Sequence, residues 1–292
     1  MRVGLFFSRL RVEEKALTQA FEARGAEVDR LDVRHLAFSL GQGNLGPYDA
    51  FLVRCISHVQ AVYISRLAEM AGKPVVNRSS VIQTCGDKIL TTMALEEAGV
   101  PTPRARLAFS PEAALEAIEA MGYPVVLKPA HGSWGRLLAR VNDRDAAEAL
   151  LEHKATLGGV LHAAVYIQEY IPKPDRDIRV LLAGDEVITA IYRRSTPRIT
   201  NPALGGKAAP CPLTPDLVDL SLQAAAAVGG GILAVDLLET ADGRLLVNEV
   251  NHTPEFHGAM EAVEVDIAGA MADYLLAVAE ASPTPPVWEG AR

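Results

Sequence analysis

A lysine and a glycine-rich loop lie next to each other near the middle of the chain. Lys128 ends an apolar run. The loop after it combines two glycines with side chains that can contact phosphate oxygens: His131, Gly132, Ser133, Gly135 and Arg136. Backbone N–H groups at glycine can approach phosphate closely, and lysine and arginine supply positive charge. The segment fits neither the P-loop spacing nor the G-x-G-x-x-G spacing. It predicts a phosphate-binding loop, with an ordinary turn beside a surface lysine as the alternative.

Three oxygen-bearing side chains lie in apolar runs late in the chain. Asp236 lies in one run, and Glu249 and Asn251 lie in the next. A buried carboxylate requires a compensating charge, and an all-oxygen set suits a hard cation such as Mg²⁺. Because side chains alternate along a strand, we expect Glu249 and Asn251 on one face and Asn248 on the other. The runs predict a magnesium site, with a salt-bridged strand pair as the alternative.

Two segments between these regions can bind other parts of a nucleotide. The strand pattern ends at Pro172, which leaves the backbone groups after Glu169 free to bind an adenine edge. Asp177 and Arg179 share one face of the next strand, where the arginine can bridge a phosphate or a carboxylate. An exposed charged strand is the alternative for this second segment.

A pair of arginines precedes a flexible stretch of the chain. Arg193 and Arg194 are followed by Asn201 and by Gly205, Gly206 and Lys207. An arginine can bind a carboxylate through two parallel hydrogen bonds. The stretch therefore predicts a substrate carboxylate site, with a solvated basic turn as the alternative.

Short strands and helices alternate around all of these residues. A strand pattern at Val3–Phe7 precedes a helical pattern at Val12–Arg24, and the first third resembles a small parallel α/β domain. A helix from Asp87 to Ala98 begins a second domain. The length of 292 residues exceeds what one core usually supports. We predict a mixed α/β chain divided at 1–86, 87–174, 175–281 and a loose tail at 282–292.

Composition narrows the class of partner. The formal charge of −8 has the wrong sign for a general nucleic-acid binder. Three widely spaced cysteines without a C-x-x-C pair favour a reducing cytoplasm over a disulfide framework. The apolar start Met1–Phe7 is too short for a signal peptide or a membrane span. We expect a cytoplasmic protein that binds neither nucleic acid nor membrane.

In order and spacing, these segments together resemble the ATP-grasp superfamily. The closer resemblance is to the LysX-type ligases of the RimK-like group. It covers nearly residues 1–281 and is carried by four motifs: Cys-Gly-Asp-Lys at 85–88, Gly-Ser-Trp-Gly-Arg at 132–136, Ile-Tyr-Arg-Arg at 191–194 and Asn-Glu-Val-Asn-His-Thr at 248–253.

The resemblance implies an α/β ATP-grasp fold, with a parallel pre-ATP-grasp domain and two α+β subdomains that hold the nucleotide between them. It implies a ligase that uses ATP and Mg²⁺, with Mn²⁺ as the alternative ion, to activate a carboxylate as an acyl phosphate. By the same resemblance, the ligase couples the amino group of α-aminoadipate or glutamate to the C-terminal glutamate of the small acidic carrier protein LysW. It also implies a homo-oligomer.

The resemblance also implies residue roles. Nucleotide contacts fall to Lys88, Lys128, His131, Gly132, Ser133, Gly135, Arg136, Gln168, Glu169, Tyr170, Ile171 and Asp177. Metal contacts fall to Asp236, Glu249 and Asn251. Arg179, Arg193 and Arg194 are expected to stabilise the acyl phosphate, the oxyanion or the incoming amino acid. Asn201, Asn251 and Thr253 are expected at the amino-acid end.

One departure from the pattern concerns the substrate. Pro202 and Leu204 stand where the pattern has threonine and arginine, which removes a cation and leaves the amino acid and the carrier open. The alternatives are a RimK-like glutamate ligase for another acceptor and a non-catalytic nucleotide-binding regulator. Because an acidic carrier would meet an acidic protein, docking requires a basic patch. The residues expected in that patch are Arg193, Arg194, Arg198 and Lys207.

Overall fold

Three sheets flanked by helices make up the computed structural model, which describes residues 1–40, 45–132, 138–157, 164–194 and 207–282. The strands are β1 (Arg2–Phe7), β2 (Glu27–Asp32), β3 (Ala50–Arg54), β4 (Val75–Val76), β5 (Ala105–Ala108), β6 (Val125–Lys128), β7 (Ala139–Val141), β8 (Val165–Glu169), β9 (Arg176–Ala183), β10 (Glu186–Arg194), β11 (Lys207–Pro210), β12 (Ile232–Glu239) and β13 (Leu245–Asn251). The helices are α1 (Val12–Ala23), α2 (His58–Met70), α3 (Ser79–Gly86), α4 (Lys88–Glu97), α5 (Pro111–Met121), α6 (Arg144–Leu157), α7 (Pro215–Ala227), α8 (His257–Ala262) and α9 (Ile267–Ala281).

The first sheet is parallel, in the order β2-β1-β3-β4. Strand β1 is almost continuously apolar because a parallel strand is covered on both faces. Helix α1 follows at once. Its first turn holds Glu13 and Glu14, where negative charge is favourable, and the Glu14 carboxylate accepts a hydrogen bond from the Arg11 N–H. The end of β1 therefore places three charged side chains close together.

The other two sheets are antiparallel. The order β5-β8-β6-β7 forms one sheet, and helices α5 and α6 cover it through an apolar core that includes Ile118, Leu127 and Leu151. The order β11-β10-β9-β12-β13 forms the other. The Asp87 side chain caps α4, the helix that begins with Lys88, by accepting from two backbone N–H groups. The mixed α/β class is thus confirmed.

One apolar core joins the first sheet to the five-stranded sheet. It contains Leu5 of β1, Phe21 of α1, Leu181 of β9 and Leu275 of α9, each with essentially no exposed surface. The parallel sheet is therefore packed against the sheet that carries Asp236. Within the described ranges, no helix has the length and apolarity that a membrane crossing requires.

Candidate active site

One cleft of about 820 Å³ collects side chains from the two antiparallel sheets and from segments that follow strands of the parallel sheet. Most of the residues singled out in the sequence line it. They are Lys88, Lys128, His131, Gly132, Gln168, Glu169, Tyr170, Ile171, Asp177, Arg179, Arg193, Asp236, Glu249, Asn251 and Thr253. Residues as far apart as Lys88 and Asn251 therefore meet in one volume, which is of the size that binding sites for small molecules have.

One predicted residue is not brought to the cleft, and several others lie outside the described residues. Arg194 does not line it and is exposed, because successive side chains of β10 point to opposite faces and Arg193 points inward. Ser133, Gly135, Arg136 and Asn201 lie outside the described residues, as do Pro202, Leu204, Arg198 and the tail from 283 onward.

Lys128 is the most buried cation at the nucleotide end of the cleft, with 7% of its surface exposed. The Nζ atom donates to Asn248 Oδ1 at 2.9 Å. Burial lowers the pKa of Lys128 to about 8, and the nearby Lys88 adds to that effect. The alternative of a surface lysine beside an ordinary turn is therefore wrong.

Strand alternation predicts that Asn248 lies on the face opposite Glu249, and this prediction is wrong. In the structure it lines the cleft and binds Lys128. The register between β12 and β13 shifts at this point: Asp236 pairs with Glu249, whereas Leu237 pairs with Val247. A β-bulge inserts one extra residue and redirects a side chain, so strict alternation fails here.

Asp236 lies at the centre of a buried ionic network. Both of its oxygens accept from Arg179, at 2.8 Å each, and Oδ2 lies 3.2 Å from Arg193 Nη2. Arg193 also donates to Asp177 at 2.6 Å. Burial alone would raise the pKa of Asp236, but the guanidinium groups of Arg179 and Arg193 outweigh it and hold that pKa below its ordinary value.

This ionic network tests the alternatives that the sequence left open for the Asp177 segment and for the strands that carry Asp236 and Glu249. Asp177 has 6% of its surface exposed, so an exposed charged strand is wrong for this segment. The alternative of a salt-bridged strand pair describes part of what is present, since Asp236 pairs with Arg179 across β12 and β9. The compensating charge that we assigned to a metal comes from two arginines in this structure.

Lys88 lies in the cleft beside Glu249. Its Nζ lies 3.4 Å from Glu249 Oε1 and donates to the Gly132 carbonyl at 2.5 Å. The Lys88 N–H also donates to the Ala130 carbonyl at 2.9 Å. The start of the glycine-rich loop is thus attached to the first turn of α4, which holds Lys88 beside Lys128.

The side chains of the cleft that could act as ligands for a metal cation offer oxygen atoms. Asn251 Nδ2 donates to Asp236 Oδ2 at 3.2 Å, and Glu249 lies directly across the ladder from Asp236. Two carboxylates with the amide oxygens of Asn248 and Asn251 suit a hard divalent ion. Among the described side chains, no cluster of three or more His, Cys, Asp or Glu residues can hold a metal.

The predicted adenine end is apolar with a polar edge. Val126, Leu138 and Leu238 line it together with Ile171. The Glu169 carboxylate accepts from the backbone N–H and the side chain of Arg104 at 2.8 and 2.7 Å. Apolar walls with a few polar groups at the edge are typical of pockets that bind small molecules.

The other end of the cleft contains residues that the sequence analysis missed. Arg11, His58, Glu255 and His257 line it, and Arg11 and His58 come from the N-terminal third. No local motif marks them, because they reach the cleft only through packing of the parallel sheet against the five-stranded sheet. The acidic pair Glu13 and Glu14 was no signal either, since acidic side chains are favourable in the first turn of any helix.

His252 lies among these residues as a neutral group. Burial lowers its pKa to about 4, and Nδ1 lies 2.9 Å from Thr253 Oγ1. The rings of His58 and His252 are 6.0 Å apart, and those of His58 and His131 are 5.9 Å apart. The pKa of His58 is also lowered, chiefly by burial, so this end of the cleft carries two imidazoles that disfavour the charged form.

The three cysteines are free and buried. Burial raises the pKa of the thiols of Cys55 and Cys85, which disfavours the thiolate. Neither is suited to nucleophilic chemistry, and the cleft supplies positive charge and hydrogen-bond donors instead.

Family models match two consecutive parts of the chain. Residues 3–84 match the LysX preATP-grasp domain, and residues 85–275 match the RimK-like ATP-grasp domain. A glutamate–LysW ligase named ArgX from Sulfurisphaera tokodaii is 35% identical over 277 residues, 94% of this chain and 98% of that protein. An alpha-aminoadipate–LysW ligase named LysX from the same organism is 35% identical over 272 residues, 92% of this chain and 95% of that protein.

A solved structure agrees with these matches. The RimK domain ATP-grasp protein from Sphaerobacter thermophilus superposes with a TM-score of 0.79 at 33% identity, covering 94% of this chain and all of that one. Fold, family models and relatives of nearly equal length coincide over the same residues. The chain therefore belongs to the RimK-like ATP-grasp family of ligases.

Proposed function

We propose that this chain joins the amino group of α-aminoadipate or glutamate to the C-terminal glutamate of the carrier protein LysW, at the expense of ATP. The observation that carries the proposal is the meeting of Lys88, Lys128, Arg179 and Arg193 with Asp236 and Glu249 in one cleft. The relatives with these named activities cover almost the whole chain.

The chemical problem is that a carboxylate is a poor electrophile. Transfer of the γ-phosphoryl group to a carboxylate oxygen converts that oxygen into a leaving group, and the amine then displaces phosphate to form the amide. Lys88 and Lys128 neutralise charge between the triphosphate and the carboxylate. Arg179 and Arg193 face the same volume and stabilise the oxyanion that forms when the amine attacks.

Asp236, Glu249 and Asn251 would hold Mg²⁺ or Mn²⁺. The ion supplies charge neutralisation at the phosphates when it is bound. Because both oxygens of Asp236 contact Arg179, that arginine holds the carboxylate ionised and in a fixed orientation. The apolar wall at Val126 and Leu238 would accept adenine, with Gln168, Glu169 and Ile171 at its edge.

The amino acid would occupy the end that contains Asn251, Thr253 and His252. A low pKa at His252 keeps this end from repelling the amine of the incoming amino acid. Arg194, which is exposed outside the cleft, fits better with docking of an acidic carrier than with catalysis.

A second candidate is a glutamate ligase for another acceptor. The tetrahydromethanopterin:alpha-L-glutamate ligase of Methanococcus maripaludis is 37% identical over 209 residues, which is 70% of this chain and 69% of that protein. That match favours glutamate as amine donor with a small-molecule carboxylate as acceptor. The departure at Pro202 and Leu204 is compatible with it.

The test is ADP release and intact mass. Purified protein is incubated with ATP, Mg²⁺, LysW and either amino acid, and LysW is weighed afterwards. We expect LysW to gain the mass of one amino-acid residue while ADP accumulates. ADP formation with glutamate and a small acceptor, but without change in LysW, would support the second candidate. Absence of ADP with every acceptor would support a nucleotide-binding regulator.

A further inference from the structure

The segment 252–257, which lines the amino-acid end of the cleft, is held by residues of the N-terminal third. Strand β13 ends at Asn251, and helix α8 begins at His257. Between them the main chain follows neither a strand nor a helix. Thr253, Pro254 and Glu255 of this segment all line the cleft.

Three N-terminal side chains supply the long-range hydrogen bonds to its main chain within the described ranges. Asn77 Nδ2 donates to the His252 carbonyl at 2.7 Å, and Arg54 Nη2 donates to the Pro254 carbonyl at 2.8 Å. Glu13 Oε1 accepts from the N–H groups of Phe256 and His257, at 3.3 Å each. The amino-acid end is thus positioned by the parallel sheet rather than by the sheet that carries Asp236.

The groups that make these contacts are charged and buried, which is costly unless each charge is paired. Arg54 and Glu13 are each 2% exposed, and Glu14 is not exposed at all. Arg54 Nε lies 3.2 Å from Glu14 Oε1, and Glu14 also accepts from Arg11 at 2.7 Å. Arg11 Nη1 reaches Glu255 at 3.1 Å. Arg54, Glu14, Arg11 and Glu255 are thus linked by ion pairs, and the Glu13 carboxylate accepts hydrogen bonds from the segment.

An apolar set of the same volume would fill this space without the cost of desolvation. The charged set also orients the segment, because guanidinium and carboxylate groups form hydrogen bonds of defined geometry with the atoms they contact. We propose that Glu13, Glu14 and Arg54 are positioning residues that set the geometry of segment 252–257 and thereby the affinity for the amino acid. The assignment of that end to the amino acid rests on the proposed function.

The test compares variants that remove these oriented hydrogen bonds without leaving a buried charge unpaired. The double variant Arg54→Met/Glu14→Gln makes the pair neutral, Glu13→Gln weakens the acceptor, and Arg54→Lys keeps the charge with fewer donors. Arg24→Met is the matched control. Arg24 joins α1 to α9 through Asp273 at 2.5 Å and does not line the cleft.

Two readouts are measured on the full chain. The first is hydrogen exchange of the amides in segment 252–257, which needs no activity. We expect the double variant and Glu13→Gln to speed exchange in this segment while α7 exchanges as before. Unchanged exchange in the segment would overturn the inference, whether or not the wild type forms ADP. Absence of ADP formation by the wild type would count against the proposed function alone.

The second readout is steady-state kinetics. We expect KM for the amino acid to rise about tenfold in the double variant, KM for ATP to stay within about twofold, and Arg54→Lys to recover part of the loss. Arg24→Met is expected to leave both KM values unchanged. Equal changes in both KM values, or the same change in Arg24→Met, would mean a general loss of structure and would contradict a positioning role.

Discussion

Arg179 and Asp236 form a two-point ion pair at the centre of the cleft, with Nε and Nη2 each 2.8 Å from a different carboxylate oxygen. The pair joins neighbouring strands of one sheet, and Asp236 is 5% exposed. Because Arg193 also contacts Asp236, this one carboxylate forms ion pairs with two arginines. The nucleotide end therefore carries both fixed positive charge and an ionised acid.

Replacing Asp236 with Asn should remove activity and destabilise the fold. Arg179 loses its ion-pair partner in a buried site and Arg193 keeps only Asp177, and such a loss typically costs about 3–5 kcal/mol. Denaturant unfolding of Asp236→Asn measures the cost. Asp242→Asn, in an exposed pair with Arg244, is the control and should unfold as the wild type does. Equal stability of Asp236→Asn and the wild type would contradict the network.

Replacing Lys128 with Met should weaken ATP binding by at least about tenfold, since a buried charge contact with phosphate is lost and each factor of ten is about 1.4 kcal/mol. Calorimetric titration with ATP and Mg²⁺ measures the affinity. Lys15→Met makes the same change at an exposed position of α1 and should bind ATP normally. Unaltered affinity in Lys128→Met would place the triphosphate elsewhere.

The affinity for ATP should fall as pH rises above about 8. In the free protein the pKa of Lys128 is lowered to about 8, mainly by burial. Bound phosphate favours the charged ammonium and raises that pKa, so binding is fully supported below 8 and requires proton uptake above it. Titrations in buffers of different ionisation enthalpy measure the uptake. Proton release on binding in that range would contradict this assignment.

Replacing Gly86 with Ala should disturb the amino-acid end through His58. A Cβ atom at Gly86 would lie 2.1 Å from the His58 ring, so the imidazole has to move. We expect a higher KM for the amino acid in Gly86→Ala, and partial recovery in Gly86→Ala/His58→Ala, where the obstruction is gone. A double-mutant cycle measures the coupling. Strict additivity of the two changes would show that the residues do not interact.

How much the sequence predicts depends on how local the cause is. The alternation of β9 places Asp177 and Arg179 on one face, and both line the cleft. The same rule fails for Asn248, because a bulge in the β12–β13 ladder is a property of the pairing and not of either strand alone. An apolar run also does not mark strand β2, because Glu27–Asp32 carries four charged side chains in six residues and lies at a sheet edge.

The amino-acid end shows the limit most clearly. Arg11, Arg54 and His58 lie in the first third of the sequence, and neither spacing nor residue type connects them with Pro254 or Glu255. Their contacts arise because α1 and β3 pack against the sheet that carries β13. Only the packed structure brings these side chains to the segment 252–257. The domain boundaries and the residue roles drawn from the resemblance stay predictions.

The proposed function requires that ATP activates a carboxylate of the acceptor in this cleft. The most direct test uses LysW in which the carboxylate oxygens of the C-terminal glutamate are a heavy isotope, together with ATP, Mg²⁺ and the amino acid. Displacement of an acyl phosphate carries one carboxylate oxygen into inorganic phosphate, so mass analysis should find one heavy oxygen in each phosphate released. Phosphate without a heavy oxygen, formed at the same rate as ADP, would mean that water accepts the phosphoryl group and would contradict an acyl phosphate.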